Sequence, residues 1–122
     1  MKYLCLVYYD EKTMQKMSQQ EWDTLNRECM GCVADLTDSG HYLDGAPLLS
    51  TDTATTLRMR DNKPLVTDGP FAETKEQLAG FYMLEARDMN EALRLAEKIP
   101  PARYGCVEIR PVRELMEQEN MR

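Results

Sequence analysis

The chain has 122 residues, 43% of them hydrophobic and 30% charged, and carries a net charge of −6. That length is one domain with room for its own hydrophobic core. The acidic balance, with no basic stripe against it, argues against nonspecific nucleic-acid binding and against an anionic membrane surface as partner.

Residues 2–9, KYLCLVYY, are a continuous run of strand formers, the pattern of a strand buried on both faces. The run is too short to cross a bilayer. It lacks a small-residue cleavage site and passes straight into Asp10-Glu11-Lys12, so it reads as a strand and not a leader. The expected location is the cytoplasm, where thiols stay reduced. Residues 10–17 read as a connection whose Met14 and Met17 fold back on the core. Ser18 and Glu21 form a capping box that starts a helix near Gln19. Its stripe is Trp22, Leu25, Cys29, Cys32, Val33 and Leu36 at helical spacing, and Gly40 supplies the stop.

His41-Tyr42-Leu43 reads as a short strand, Asp44-Gly45 as a turn, and residues 46–49 as irregular. Thr55–Arg60 is a strand in which Arg58 and Arg60 alternate with Leu57 and Met59. After a tight turn at Asp61-Asn62-Lys63, Pro64–Thr67 returns as the second arm of a hairpin. Gly80–Glu85 is the next strand. Asp88 and Glu91 form a second capping box for a helix over Met89–Ile99, which Pro100-Pro101 ends. Cys106–Arg110 is the last strand. Residues 113–122 are polar and read as a loose helical tail, so that one domain spans 1–113 and the tail 114–122.

The order β-α-β-β-β-α-β, two halves of related plan, predicts an α+β ferredoxin-like sandwich of the βαββ(β)αβ type. Two helices cover one face of a mainly antiparallel sheet. The bare apolar face opposite predicts a symmetric homodimer packed sheet on sheet.

Four cysteines are present. Cys29-Met30-Gly31-Cys32 has the spacing of a redox pair or half a zinc site. It falls late in a predicted helix, away from the helix N-terminus that lowers thiol pKa values, and no second C-x-x-C accompanies it. The simpler reading is two small hydrophobes on the apolar helix face. No metal or other cofactor is expected.

Between the hairpin and the Gly80–Glu85 strand lies Asp68-Gly69-Pro70-Phe71-Ala72-Glu73-Thr74-Lys75-Glu76, with four charged side chains around a Gly-Pro step. Glycine and proline make such a step a stiff corner. This stretch resembles the signature from which the DGPF family, within the YCII-related group, takes its name. The likeness extends to Lys2–Tyr9, Thr53–Arg58, Gln77–Tyr82, Ile99–Gly105 and Val107–Val112. The resemblance implies a ferredoxin-like subunit in a dimeric α/β barrel. It also implies a genomic link, in some members, to sigma-type transcription factors. In more distant members it implies a His-Asp pair as the proposed active centre. Asp68 is the natural aspartate for such a pair, and His41 is the only histidine.

Asp68 at a strand end has the chemistry of a general base, or of a turn-capping carboxylate. Arg58 has the planar fork that clamps carboxylates, or pairs with a cross-strand glutamate. Lys75 offers a positive charge to an anion, or a salt bridge to Glu73 or Glu76. Tyr42 and Tyr82 offer ring faces and hydroxyls to a pocket, or simply pack in the core. Taken together, the sequence predicts a small homodimer with a polar pocket around Asp68. The pocket would be completed by Arg58, Glu73, Lys75, Glu76 and Tyr82, with His41 as a second proton carrier. It would bind a small organic molecule, with anionic charge compatible, and cofactor-free acid–base chemistry is the matching reaction type. A non-enzymatic accessory or sensor linked to a sigma-type regulator is the alternative.

Overall fold

Burial along β1 (Lys2–Tyr9) sets the layers. Tyr3, Cys5 and Val7 are buried, while Leu4, Leu6 and Tyr8 are half-buried on the other face. Among the described residues the helices pack on the Tyr3-Cys5-Val7 face, so the strand is fully covered on that side and only partly on the other. The structure is a computed structural model that describes residues 1–115. After β1 the chain runs through α1 (Glu11–Met14), α2 (Gln19–Asp38), β2 (Tyr42–Pro47), β3 (Thr55–Arg60), β4 (Lys63–Asp68), β5 (Gln77–Glu85), α3 (Met89–Ala96) and β6 (Gly105–Pro111).

Four strands form an antiparallel sheet in the order β2-β5-β1-β6, and β3 and β4 form a separate two-stranded hairpin. This is a mixed α+β fold whose strand order is compatible with a ferredoxin-like sandwich. Registers of Leu4 with Met83 and Arg110, and of Leu6 with Phe81 and Glu108, put those side chains on the face away from the helices. The core lies on the opposite face, where Cys5, Leu36, Leu84 and Ile99 are the largest fully buried side chains. At about 25 cal/mol per Å² of apolar area, each of the larger ones contributes about 2 kcal/mol. No helix among the described residues is long and apolar enough to cross a membrane.

Local chemistry accounts for the helix starts. Ser18 and Glu21 make the reciprocal capping box expected of α2. At α3 only half of that motif forms: Asp88 accepts from the Glu91 amide, while Glu91 takes the Arg87 amide. The helix ends at Ala96, and Ile99 is buried from the turn that follows. Residues 10–17 are not a plain connection, since Asp10 caps the four-residue α1 and Met14 is buried.

The largest departure is β2. It runs through Asp44-Gly45, which is not a turn, with a register shift between Tyr42 and Asp44 against β5. Pairing with β5 overrides the local turn signal, and glycine is needed there because a Cβ on Gly45 would lie 2.7 Å from the Phe81 carbonyl oxygen. β5 starts at Gln77, three residues before the expected Gly80, with Ala79 as a bulge residue between Leu78 and Gly80. The hairpin forms as expected. Asp61 and Asn62 both have positive φ, 52° and 62°, the pair a two-residue type I′ turn requires. Residues 113–115 carry no regular structure, and the rest of the predicted tail helix lies outside the described residues.

Candidate ligand-binding site

α2 packs closely on the sheet only along its C-terminal half. Cys32 and Leu36 belong to the continuous core, whereas Leu25, although buried, lies outside it. Over the N-terminal half the helix faces β2 and β5 where they carry Gly45, Ala79 and Gly80. These short side chains cannot fill the space beneath a helix. The result is a chamber of about 600 Å³ between α2 and the sheet. That volume is in the usual range for small-molecule pockets. Trp22, Leu25, Cys29 and Val33 project from α2, Tyr9 from β1, Tyr42 from β2 and Tyr82 from β5. The exposed lining residues Asn26, Met30 and Ala34 on α2 and Ala46 and Pro47 on β2 mark the mouth. Pro101 closes one side. Its turn is held to α2 by a two-pronged bridge in which Arg103 donates to the Glu28 carboxylate at 2.7 and 3.1 Å.

No Asp, Glu, Lys, Arg or His is among the residues lining this chamber. Its titratable groups are all held neutral. Burial raises the Tyr82 phenol well above its ordinary value, and the neighbouring Cys29 and Cys32 thiols and Tyr42 add to the rise. Burial raises Cys29 too, against a smaller opposing effect of the Tyr82 hydroxyl that faces it. Tyr9 and Tyr42 shift the same way, first through burial and then through Glu11 and Asp44 respectively. Tyr42 and Tyr82 meet edge to face, with centroids 6.2 Å apart and planes at 86°. The walls therefore present ring faces, a thiol and hydroxyl groups, with no fixed charge.

A second chamber of about 230 Å³ abuts the first and shares Tyr9, Trp22 and Ala79 with it. Leu48, Leu49 and Ser50, from the connection after β2, form part of its wall. Unlike the main chamber it holds a carboxylate, Glu11, together with Gln15. Glu11 is half-buried and accepts from the Thr51 hydroxyl at 2.6 Å.

Of the residues singled out in the sequence as pocket candidates, Tyr42 and Tyr82 line the main chamber. Asp68 is exposed at the end of β4, opposite Thr55. The corner that follows is braced by hydrogen bonds to its backbone and not by ion pairs within it. Gly69, at φ 96°, donates its amide to the Ala54 carbonyl and accepts from the Thr56 hydroxyl, both at 2.8 Å. Arg58 donates to the Phe71 carbonyl at 3.2 Å, and its cross-strand partner is Leu65 and not a glutamate. Glu73, Lys75 and Glu76 are exposed, and no salt bridge among the described residues joins the charges of the corner to one another. His41 sits at the Glu85 end of β5, its Nδ1 2.8 Å from the Glu85 carbonyl. The corner leads into the Gln77 end, where Gln77 donates to the Thr74 carbonyl. Asp68 and His41 are not brought together within one chain.

The thiols do not pair. Cys5 and Cys32 are buried, Cys29 half-buried and Cys106 exposed. Among the described residues no group of three or more His, Cys, Asp or Glu is placed to hold a metal ion. Trp22, Leu25, Cys29 and Val33 enter the site from a stripe that reads in sequence as core packing. The signal that could have exposed it is the cluster of small residues opposite, Gly45 and Ala79-Gly80.

Compared with known proteins, residues 1–116 match the model of the YCII-related domain. An uncharacterized protein of Rhizobium meliloti (strain 1021) is 36% identical over 114 residues, covering 92% of each chain.

Proposed function

The chain belongs to the YCII-related domain family, and from that premise we propose that it is a homodimeric protein that binds the uncharged, largely apolar body of a small molecule between α2 and the sheet. The observation that carries this reading is the 600 Å³ chamber with aromatic and aliphatic walls and no charged side chain. A charged ligand would lose its hydration there without gaining a partner. With tyrosines and a thiol held neutral by burial, the walls favour binding over acid–base turnover. A part for Asp68 in the same site would require a second subunit to carry its corner to the chamber mouth.

The dimer is supported by two surfaces. Leu4, Leu6, Phe81 and Met83 form an apolar stripe on the face away from the helices. On the hairpin, Leu57, Met59 and Val66 are each more than half exposed and share one face. Packing two such sheets together is the arrangement of a dimeric α/β barrel, and the Asp68–Glu76 corner is the feature that would assign the chain to the DGPF branch. The cytoplasm is the matching location.

The test is a titration with naphthalene, read by Trp22 emission. Saturable quenching that is lost in Val33→Phe, at an unchanged thermal midpoint, is the expected result. Quenching that does not saturate, or that survives Val33→Phe, overturns the proposal.

A further inference from the structure

We infer that the ligand is an elongated amphiphile, with an apolar body in the main chamber and a hydrogen-bond-donating head, a primary alcohol or amine, against Glu11 in the side chamber. The inference rests on the proposed occupancy of the main chamber and specifies its ligand. The two chambers differ in both size and chemistry. The larger has no charged lining residue, and the smaller holds the Glu11 carboxylate. They abut at Tyr9, Trp22 and Ala79, so a molecule too long for one enters the other at that boundary. Trp22 is half-buried, stands near the start of α2 and lines both spaces.

The head must donate. An ionised carboxylate only accepts, with about four acceptor positions on its two oxygens. Thr51 makes three contacts, from its hydroxyl to Oε1 and from its amide to Oε1 and Oε2, and so leaves Oε2 with room for a ligand donor. Gln15, beside it, supplies a further carbonyl acceptor. A carboxylate head would meet Glu11 as a like charge in a half-buried site and is excluded. This reverses the sign of the ligand that Arg58 and Lys75 suggest in the sequence, because those cations do not line either chamber.

Binding of 1-octanol, octylammonium, methyl heptyl ether and octanoate to the wild-type dimer, read by Trp22 emission, tests the inference. The alcohol and the ammonium are expected to bind about tenfold more tightly than the ether, the gain of one charge-assisted hydrogen bond, and octanoate more weakly than the ether. In Glu11→Gln the ammonium falls to the level of the ether and octanoate rises to it, while the alcohol, bonded to a neutral acceptor, keeps about a threefold advantage over the ether. Equal affinities for all four overturn the inference and leave the main-chamber reading standing. Tightest binding of octanoate overturns it as well. Absence of saturable binding by any of the four, together with failure of naphthalene, overturns both.

Discussion

The Glu11 carboxylate holds Thr51, taking its hydroxyl at 2.6 Å and its amide at 3.1 and 3.2 Å. The Glu11 amide in turn donates to Gln77 Oε1, and Gln77 donates to the Thr74 carbonyl. One short helix thus ties down both ends of the segment that carries the hairpin.

Glu11→Ala is expected to destabilise the protein by about 1–3 kcal/mol, the usual loss for half-buried hydrogen bonds to a charged group. Thr51→Val keeps the amide contacts and should cost less. Hydrogen exchange should quicken at Thr51 and through β3 and β4 before it does in β1. Uniform quickening through the whole chain would show that the clasp is not local to the hairpin.

His41→Ala removes the Nδ1 bond to the Glu85 carbonyl and should cost about 0.5–1.5 kcal/mol in urea unfolding. Neither it nor Asp68→Asn should change naphthalene affinity by more than about twofold, since neither side chain lines the chamber. A tenfold loss in either variant would mean that the chamber is not the whole site.

Two glycines should respond in opposite directions. A Cβ on Gly45 would meet the Phe81 carbonyl at 2.7 Å and the Tyr42 hydroxyl at 2.9 Å. Gly45→Ala should therefore cost about 1–3 kcal/mol, as overpacking does, and weaken naphthalene binding as the Tyr42 ring moves. Gly31 sits inside α2 with nothing within 4 Å of its would-be Cβ. Gly31→Ala should stabilise by about 0.5–1 kcal/mol through helix propensity alone. Thermal midpoints of the two variants check both signs.

Burial pushes the Cys5 thiol from 9.0 up to about 11. The unfolded chain therefore loses this proton first. Stability from Cys5 is complete below pH 9 and is lost as pH rises from 9 toward 11. Two pKa units correspond to about 2–3 kcal/mol. Cys5→Ala should start about 1 kcal/mol less stable at pH 7, and its stability should fall less steeply above pH 9. Urea midpoints from pH 7 to 11 give the comparison, and parallel profiles would refute the assignment.

Leu6→Glu places a charge at the centre of the bare sheet face, opposite Phe81 on one side and Glu108 on the other. With the proposed sheet-on-sheet dimer, sedimentation at micromolar concentration should show two subunits for the wild type and one for the variant, since an unpaired buried charge costs several kcal/mol. A Leu6→Glu protein that remains dimeric would locate the contact elsewhere, with Val66→Glu on the hairpin as the next variant.

Helix starts and the hairpin are legible in sequence because they rest on short-range chemistry. Ser18 with Glu21, Asp88 with the Glu91 amide, and the Asp61-Asn62 turn each need only neighbours along the chain. The path of β2 is not legible in this way. Asp44-Gly45 has turn chemistry, and only the Tyr82 and Phe81 backbone across from it makes that glycine part of a strand. The chamber is hidden for a similar reason. Trp22, Leu25, Cys29 and Val33 form a stripe that would fill a core if large side chains stood opposite, and the sheet supplies Gly45, Ala79 and Gly80 instead. The Asp68–Glu76 corner draws the eye by charge, yet its own charged side chains do not hold it: a backbone amide, the Thr56 hydroxyl and the Arg58 guanidinium bond to backbone groups there.

The Leu48 amide donates to the Ala79 carbonyl at 2.8 Å, so the chain leaves the main sheet and rejoins it almost at the same point. Residues 49–76, hairpin and corner included, loop out from the main sheet between β2 and β5, and none of them lines the larger chamber. A short tight turn grafted from Leu48 to Ala79 should leave a folded protein with its apolar cavity intact and only the Glu11 annexe unroofed.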